Sequence, residues 1–243
     1  MKILFLTFLV LYQNCSWAII NGVSQNKDFP SVLLVFKNDS HFCTGTFIDE
    51  FTILTAAHCL IDKQQWKGFS TDLEFILNSQ KSKIIFKQLR NISHPNYSRS
   101  IFNSKSDIGI IKVEQKYYLN NFPEISNEKS RKAIYYGCGR FQVKDKINKC
   151  FEGINQIFDL FGNLVSWGES SNFSERGYKV SIAPNDSGGA LVDFQSKKII
   201  GVHWGTWIAL TSRFFLPNLN FSTSLQIEEN YHFIKMNMGK NRQ

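Results

Sequence analysis

Ser187 lies in the run Asn185-Asp186-Ser187-Gly188-Gly189, 129 positions after His58 in Thr55-Ala56-Ala57-His58-Cys59, and Asp107 opens Asp107-Ile108-Gly109-Ile110 between them. A serine hydroxyl is a weak nucleophile at neutral pH. An imidazole within hydrogen-bond reach can take its proton, and a carboxylate behind that imidazole can fix its tautomer and stabilise its cation. The three residue types together point to nucleophilic attack on a carbonyl. Each run alone has a plainer explanation: Asp-Ser-Gly favours a turn, and a histidine beside a cysteine packs or ligates metal. Their joint occurrence in the order His, Asp, Ser goes beyond that. The same order excludes the G-x-S-x-G elbow, in which acid and histidine follow the serine.

The surroundings carry a resemblance. Cys43-Thr44-Gly45-Thr46-Phe47-Ile48 and Phe51-Thr52-Ile53-Leu54-Thr55-Ala56-Ala57-His58-Cys59 look like a strand pair bridged beside the histidine. His94-Pro95-Asn96-Tyr97, then Ser106 to Val113, looks like the segment that delivers the aspartate, and Ile19-Ile20-Asn21-Gly22 looks like a mature amino terminus. From Ile19 to about Lys235 the chain resembles the chymotrypsin/trypsin family of serine endopeptidases. The resemblance implies an all-β fold of two packed six-stranded antiparallel β-barrels with a C-terminal α-helix, as one domain over residues 19–243. It implies a His58, Asp107 and Ser187 triad, an oxyanion hole built from the backbone N–H groups of Asn185 and Ser187, and a pair between the Ile19 amino group and Asp186. The family normally has glycine where Asn185 stands; asparagine tolerates unusual φ better than most residues. No metal or organic cofactor is implied.

The same resemblance places Ser181 at the floor of the primary substrate pocket and Trp204 and Gly205 on its wall. Serine at the floor supplies no charge for lysine or arginine, which favours an apolar or aromatic side chain. Ile200-Gly201-Val202-His203-Trp204-Gly205 is also similar to a stretch of bacterial glutamyl endopeptidases, in which the histidine contacts an acidic side chain; those enzymes favour a hydroxyl where Ile182 stands. A second role for His203 is support of Asp107 from behind. Ala183 and Asp193 stand where the family usually has cysteines.

Residues 1–18 begin Met1-Lys2, continue through an apolar run from Ile3 to Tyr12 and end Ser16-Trp17-Ala18. This reads as a secretory leader, too short for a membrane span. Export implies an oxidising compartment, and the four cysteines left after Cys15 is removed can pair in three ways. The resemblance selects Cys43 with Cys59, and a local bridge between Cys138 and Cys150 is expected. A zinc site at Cys43, His58, Cys59 and His41 has no common spacing. The formal charge of +8 becomes about +7 without Lys2, and the basic residues are scattered, which suits solubility. Nucleic-acid binding has no motif. The expected partners are protein or peptide substrates, met by a monomer with no membrane attachment once the leader is gone. Six Asn-X-Ser/Thr sequons follow the leader, at Asn38, Asn91, Asn96, Asn172, Asn185 and Asn220.

Apolar runs separated by polar breaks predict strands at Val32 to Phe36, Phe51 to Leu54, Leu73 to Leu77, Ile84 to Phe86, Ile108 to Val113, Ile199 to Trp204 and Trp207 to Phe215. Asn120 to Lys132 reads as the connection between barrels. At the end, Thr223 three residues before Gln226 reads as a capping box, with Glu228 and Glu229 in an early turn and Tyr231, Phe233 and Ile234 on the apolar side of a helix that stops before Gly239.

Overall fold

β-branched and aromatic residues dominate the apolar runs, and strands of that composition stabilise one another by cross-strand contact. A computed structural model describes residues 19–25, 29–35, 42–60, 72–77, 84–98, 104–138, 150–168, 179–183, 185–207 and 218–239. After a short β1 (Val23–Ser24), the strands β2 (Ser31–Val35), β3 (Phe42–Asp49), β4 (Thr52–Thr55), β5 (Asp72–Leu77), β6 (Ile84–Ser93) and β7 (Gly109–Val113) form a closed antiparallel barrel in the order β2-β3-β4-β7-β6-β5. Phe47, Ile53, Leu54 and Ile111 are buried within its core. A 3-10 turn at Ala57–Cys59 follows β4 and carries His58, and another at Ser104–Ser106 precedes Asp107.

The later strands are β8 (Lys132–Gly137), β9 (Phe151–Gln156), β10 (Phe158–Leu160), β11 (Asn163–Gly168), β12 (Ala190–Asp193), β13 (Ile199–Trp207) and β14 (Asn218–Ser224). They join β1 in an antiparallel sheet of order β1-β9-β8-β12-β13-β14-β11-β10. The middle six strands make the wall of the second barrel, and β1 and β10 extend it at the edges. No ladder pairs β9 with β11 among the described residues. The gap is bridged otherwise: the Asn155 side chain donates through Nδ2 to Ser166 Oγ at 2.9 Å and to Val180 O at 2.8 Å, while the backbone Lys179 N donates to Ile154 O at 3.1 Å.

The chain ends in α1 (Glu228–Asn237), which buries Asn230, Phe233 and Ile234. The expected capping box does not form. Thr223 is buried within β14, and the N-cap is Ile227, which makes no side-chain cap. Glu228 and Glu229 still sit in the first turn, where carboxylates complement the helix dipole. The helix is tied to the first barrel: Lys112 Nζ donates to Gly239 O at 2.6 Å, and Gly239 N donates to Asp49 Oδ2 at 2.6 Å.

Six of the seven expected runs coincide with strands; Trp207 to Phe215 lies almost wholly outside the described residues, as do Phe36 and the leader, and Phe51 falls in the turn before β4. The expected connection holds one isolated bridge, Ile125 with Ile199, and its last residue Lys132 begins β8. Disulfides join Cys43 to Cys59 and Cys138 to Cys150. Closing the loop between Cys43 and Cys59 stabilises by about 3 kcal/mol on the chain-entropy model. A Cys43→Ala/Cys59→Ala variant is therefore expected to lose about that much in urea unfolding relative to the parent chain.

Candidate active site

The turn after β4 and the segment before β7 bring His58 against Asp107. His58 Nδ1 lies 2.7 Å from Asp107 Oδ2, and His58 N donates to Asp107 Oδ1 at 2.8 Å. An ionised carboxylate only accepts, so Nδ1 carries the hydrogen and Nε2 is left with its lone pair free to accept a proton. Asp107 is buried and His58 is part-exposed, which leaves the imidazole open on one side. Asn230 of α1 donates to Lys105 O at 2.7 Å, holding the segment that leads into Asp107.

Ser187 sits on a turn clamped by the first barrel. Thr44 N donates to Ser187 O at 2.8 Å, Thr44 Oγ1 donates to Asn185 O at 3.1 Å, and Thr55 Oγ1 donates to Thr44 O at 2.8 Å. Gly188 has φ +86°, and a Cβ there would collide with Thr55 Oγ1 and Thr44 O, so only glycine lets the two barrels meet this closely. Cys59 Sγ lies 3.7 Å from both His58 Nε2 and Ser187 O, which brings the imidazole and the serine turn to one place. Among the described residues Ser187 Oγ makes no hydrogen bond. Asp186 N bonds Ala183 O and Gly188 N bonds His203 O, whereas the intervening Ser187 N and the preceding Asn185 N bond nothing among the described residues. Asn185 adopts φ 78°, a left-handed value that asparagine tolerates.

Asp186 is fully buried, and its Oδ2 accepts from Ile19 N and from Ala183 N, each at 2.8 Å. Ile19 is itself buried and has φ 41°. A β-branched residue with positive φ is strained.

The residues expected to line the substrate pocket lie along two chain segments of the second barrel. Ser181 is buried and exchanges backbone hydrogen bonds with Ile20. Ile182 N donates to Asn220 Oδ1 at 2.9 Å. Opposite them, Trp204 forms a bulge in β13, its Nε1 donating to Asn163 Oδ1 at 3.1 Å. Among the described residues a Cβ on Gly205 would meet nothing within 4 Å. His203 is 0 % exposed; its Nδ1 lies 2.8 Å from Ser222 Oγ and its ring stacks on Tyr135 at 4.9 Å. No hydrogen bond joins it to Asp107 among the described residues, and its Nε2 has no partner there. Cys43, His58 and Cys59 place their ligand atoms within 4.8 Å of one another. Both sulfurs are spent in the disulfide, so the zinc reading has no thiolates.

A family model described as Trypsin matches residues 19–212. The chain belongs to the trypsin family. Trypsin theta of Drosophila melanogaster is 34% identical over 88 residues, covering 35% of this chain and 31% of that protein. Transmembrane protease serine 11C of Mus musculus is 25% identical over 211 residues, covering 78% and 48%, and chymotrypsin-like elastase family member 1 of Bos taurus is 25% identical over 137 residues, covering 51% of each. The chain thus spans about half or less of the length of these relatives. A solved structure of a Glu endopeptidase in complex with MPD superimposes with a TM-score of 0.61 at 16% identity, covering 88% of this chain and 95% of that one, a likeness of fold.

Within this trypsin-family fold, His58, Asp107 and the Ser187 turn converge, and Ile19 meets Asp186. Thr44, which clamps the serine turn, and Asn230, which steadies the approach to Asp107, carried no signal beyond being single polar residues. Of the sequons, Asn220 is buried with its amide fully engaged, which excludes a glycan on the folded chain.

Burial lowers His203 to about 3 from 6.5. Below pH 6.5 the unfolded chain therefore takes a proton that the folded chain refuses until about pH 3, so stability falls as pH falls through this window, by up to about 1.4 kcal/mol per unit. His94 is lowered too, mainly by burial, and acts in the same direction. Thermal unfolding midpoints are expected to drop from pH 6.5 to pH 4, and His203→Gln is expected to flatten that decline.

Proposed function

We propose that this chain is a secreted serine endopeptidase that hydrolyses peptide bonds through Ser187, His58 and Asp107. The observation that carries the reading is the 2.7 Å contact of His58 Nδ1 with buried Asp107, which directs the imidazole's free lone pair away from the carboxylate and beside the Ser187 turn. Ser187 Oγ attacks the substrate carbonyl carbon while His58 Nε2 takes its proton. The tetrahedral oxyanion is received by the N–H groups of Asn185 and Ser187, which have no partner among the described residues, each such donor being worth roughly 2.7–4 kcal/mol of barrier. His58 then gives its proton to the leaving amine, the acyl-enzyme remains on Ser187, and a water deprotonated by His58 releases the acid. The Ser187 to His58 hydrogen bond is of the kind that tightens only when substrate is bound. These steps use the chain's own groups, without a metal or organic cofactor.

The contact between Ile19 N and Asp186 supports a switch in which a free Ile19 amino group completes the site. Cutting the bond before Ile19 would also remove its φ 41° constraint, a strain of about 1–3 kcal/mol. In this reading signal peptidase generates that terminus directly. A mature chain beginning elsewhere would contradict it.

No helix among the described residues is long and apolar enough to cross a membrane. The two disulfides suit an oxidising compartment, and the leader over residues 1–18 supplies the route. Protein or peptide substrates meet the enzyme as a monomer. Ser181 offers no charge to lysine or arginine, so an apolar or aromatic residue precedes the cleaved bond. Glutamate is the second reading, supported by His203 Nε2, which has no partner among the described residues.

Digestion of a diverse peptide library, read by mass spectrometry beside a Ser187→Ala control, tests the proposal. Cleavage that disappears in the control is the expected result. Its absence from the parent chain with a free Ile19 terminus would favour a silent homologue that binds partners through the same fold.

A further inference from the structure

We propose that Asn96 carries an N-linked glycan, rooted on the turn between β6 and Asp107; this rests on the secreted reading above. Four of the sequons lie among the described residues, at Asn91, Asn96, Asn185 and Asn220. A glycan is bulky and polar, so a folded chain can carry one only where the amide nitrogen reaches solvent. The fold sorts the four.

Three refuse it. Asn220 is 0 % exposed and donates both amide hydrogens, to Ser166 Oγ at 3.0 Å and to Val180 O at 2.9 Å. Asn91 lies in β6 with both polar atoms of its side chain buried. Asn185 belongs to the turn that presents Ser187, and the serine of its sequon is Ser187 itself. A sugar there would stand beside the nucleophile.

Asn96 is different. It is exposed, and Ser98, the hydroxyl of its sequon, is part-exposed. Pro95 and Asn96 are the central residues of a turn that closes when Tyr97 N donates to His94 O at 3.0 Å, and proline presets such a turn. Asn96 N also donates to Nδ1 of buried His94 at 3.2 Å, so the backbone is fixed from within. On the outer side Asn96 Nδ2 donates to Glu229 Oε2 of α1 at 3.1 Å, a contact open to solvent.

That contact survives modification. Transfer forms a bond from Nδ2 to the anomeric carbon of the sugar, breaks the bond from that carbon to the diphosphate of a lipid-linked oligosaccharide, and releases one amide hydrogen as a proton. The amide has two hydrogens, and the second stays with Glu229. The root of the glycan is therefore tied to the turn on one side and to the first turn of α1 on the other. It covers the seam where the helix meets the segment that leads into Asp107.

The test expresses the full chain in a eukaryotic secretory host, beside a copy in which residues 1–18 are replaced by an established secretory leader. Peptide N-glycosidase in heavy-oxygen water converts a glycosylated asparagine to a labelled aspartate, and mass spectrometry of the secreted protein locates it. Label on Asn96 in most secreted molecules, with none on Asn91, Asn185 or Asn220, is the expected result. Ser98→Ala should remove the label and lower the intact mass by one glycan, while Ser98→Thr should keep it, which separates a lost sequon from a disturbed turn. Secreted protein without label on Asn96, or with label on any of the other three, overturns the proposal. If only the copy with the replaced leader is secreted, the secretion reading fails, and label on Asn96 in that copy still upholds the glycan.

Discussion

Ser187→Ala is expected to lower kcat on the mature chain by about 10⁴- to 10⁶-fold, the scale seen when the nucleophile of a serine, histidine and aspartate set is removed. The fold should be unaffected. Ser187 Oγ makes no hydrogen bond among the described residues, and the turn is held through Ser187 O and its neighbours' backbone. Side-chain truncations away from packed or bonded features usually change stability by less than about 0.5 kcal/mol. Peptide turnover and a thermal melt on the same preparation check both halves. Loss of activity with a collapsed melt would point to structure instead of chemistry, and retained turnover would remove Ser187 from the reaction.

The second large effect is expected at Asp186. Its carboxylate accepts from Ile19 N and Ala183 N inside the protein, with no solvent contact. In the proposed mature chain, whose Ile19 amino group is free and charged, removing one partner of this buried pair costs about 3–5 kcal/mol, because the other is left uncompensated. Asp186→Asn keeps the shape and loses the charge. The cost falls on the turn that aims the N–H groups of Asn185 and Ser187, so kcat/KM should drop by about 10²- to 10³-fold even though neither the hydroxyl nor the imidazole is altered. Hydrogen exchange over residues 185–189, beside the kinetics, separates a loosened turn from a direct chemical loss. Activity within threefold of the parent would mean that the pair does not order the site.

The candidate triad was legible in the sequence because the chemistry it suggests is written in short runs. Asp186-Ser187-Gly188 and Ala57-His58-Cys59 each combine a reactive group with the residues that shape its turn. The walls were harder to read because the second barrel buries polar side chains. In β14 the polar residues Asn220, Ser222, Thr223 and Ser224 are all buried, whereas Phe221 is only partly buried. Apolar alternation therefore points the wrong way there, and the strand escapes a reading built on it. β9 hides for the same reason, since Asn155 is buried to bridge the barrel's two ends. Thr223 followed by Gln226 has the pattern of a helix cap, yet cross-strand pairing with Val202 and Asn163 holds Thr223 in the sheet. Tertiary pairing overrides the local signal. Thr44 shows the limit most plainly, since nothing in the run Cys43-Thr44-Gly45 announces that it will hold a turn 141 positions away.

The most direct test of the central claim is covalent labelling of the mature chain, starting at Ile19, with a fluorophosphonate that reacts only with an activated serine. Peptide mapping by mass spectrometry then locates the adduct. The account predicts a single stoichiometric adduct on Ser187, abolished by His58→Ala. A folded chain with a free Ile19 terminus that leaves Ser187 unlabelled, or that labels equally well without His58, would contradict it.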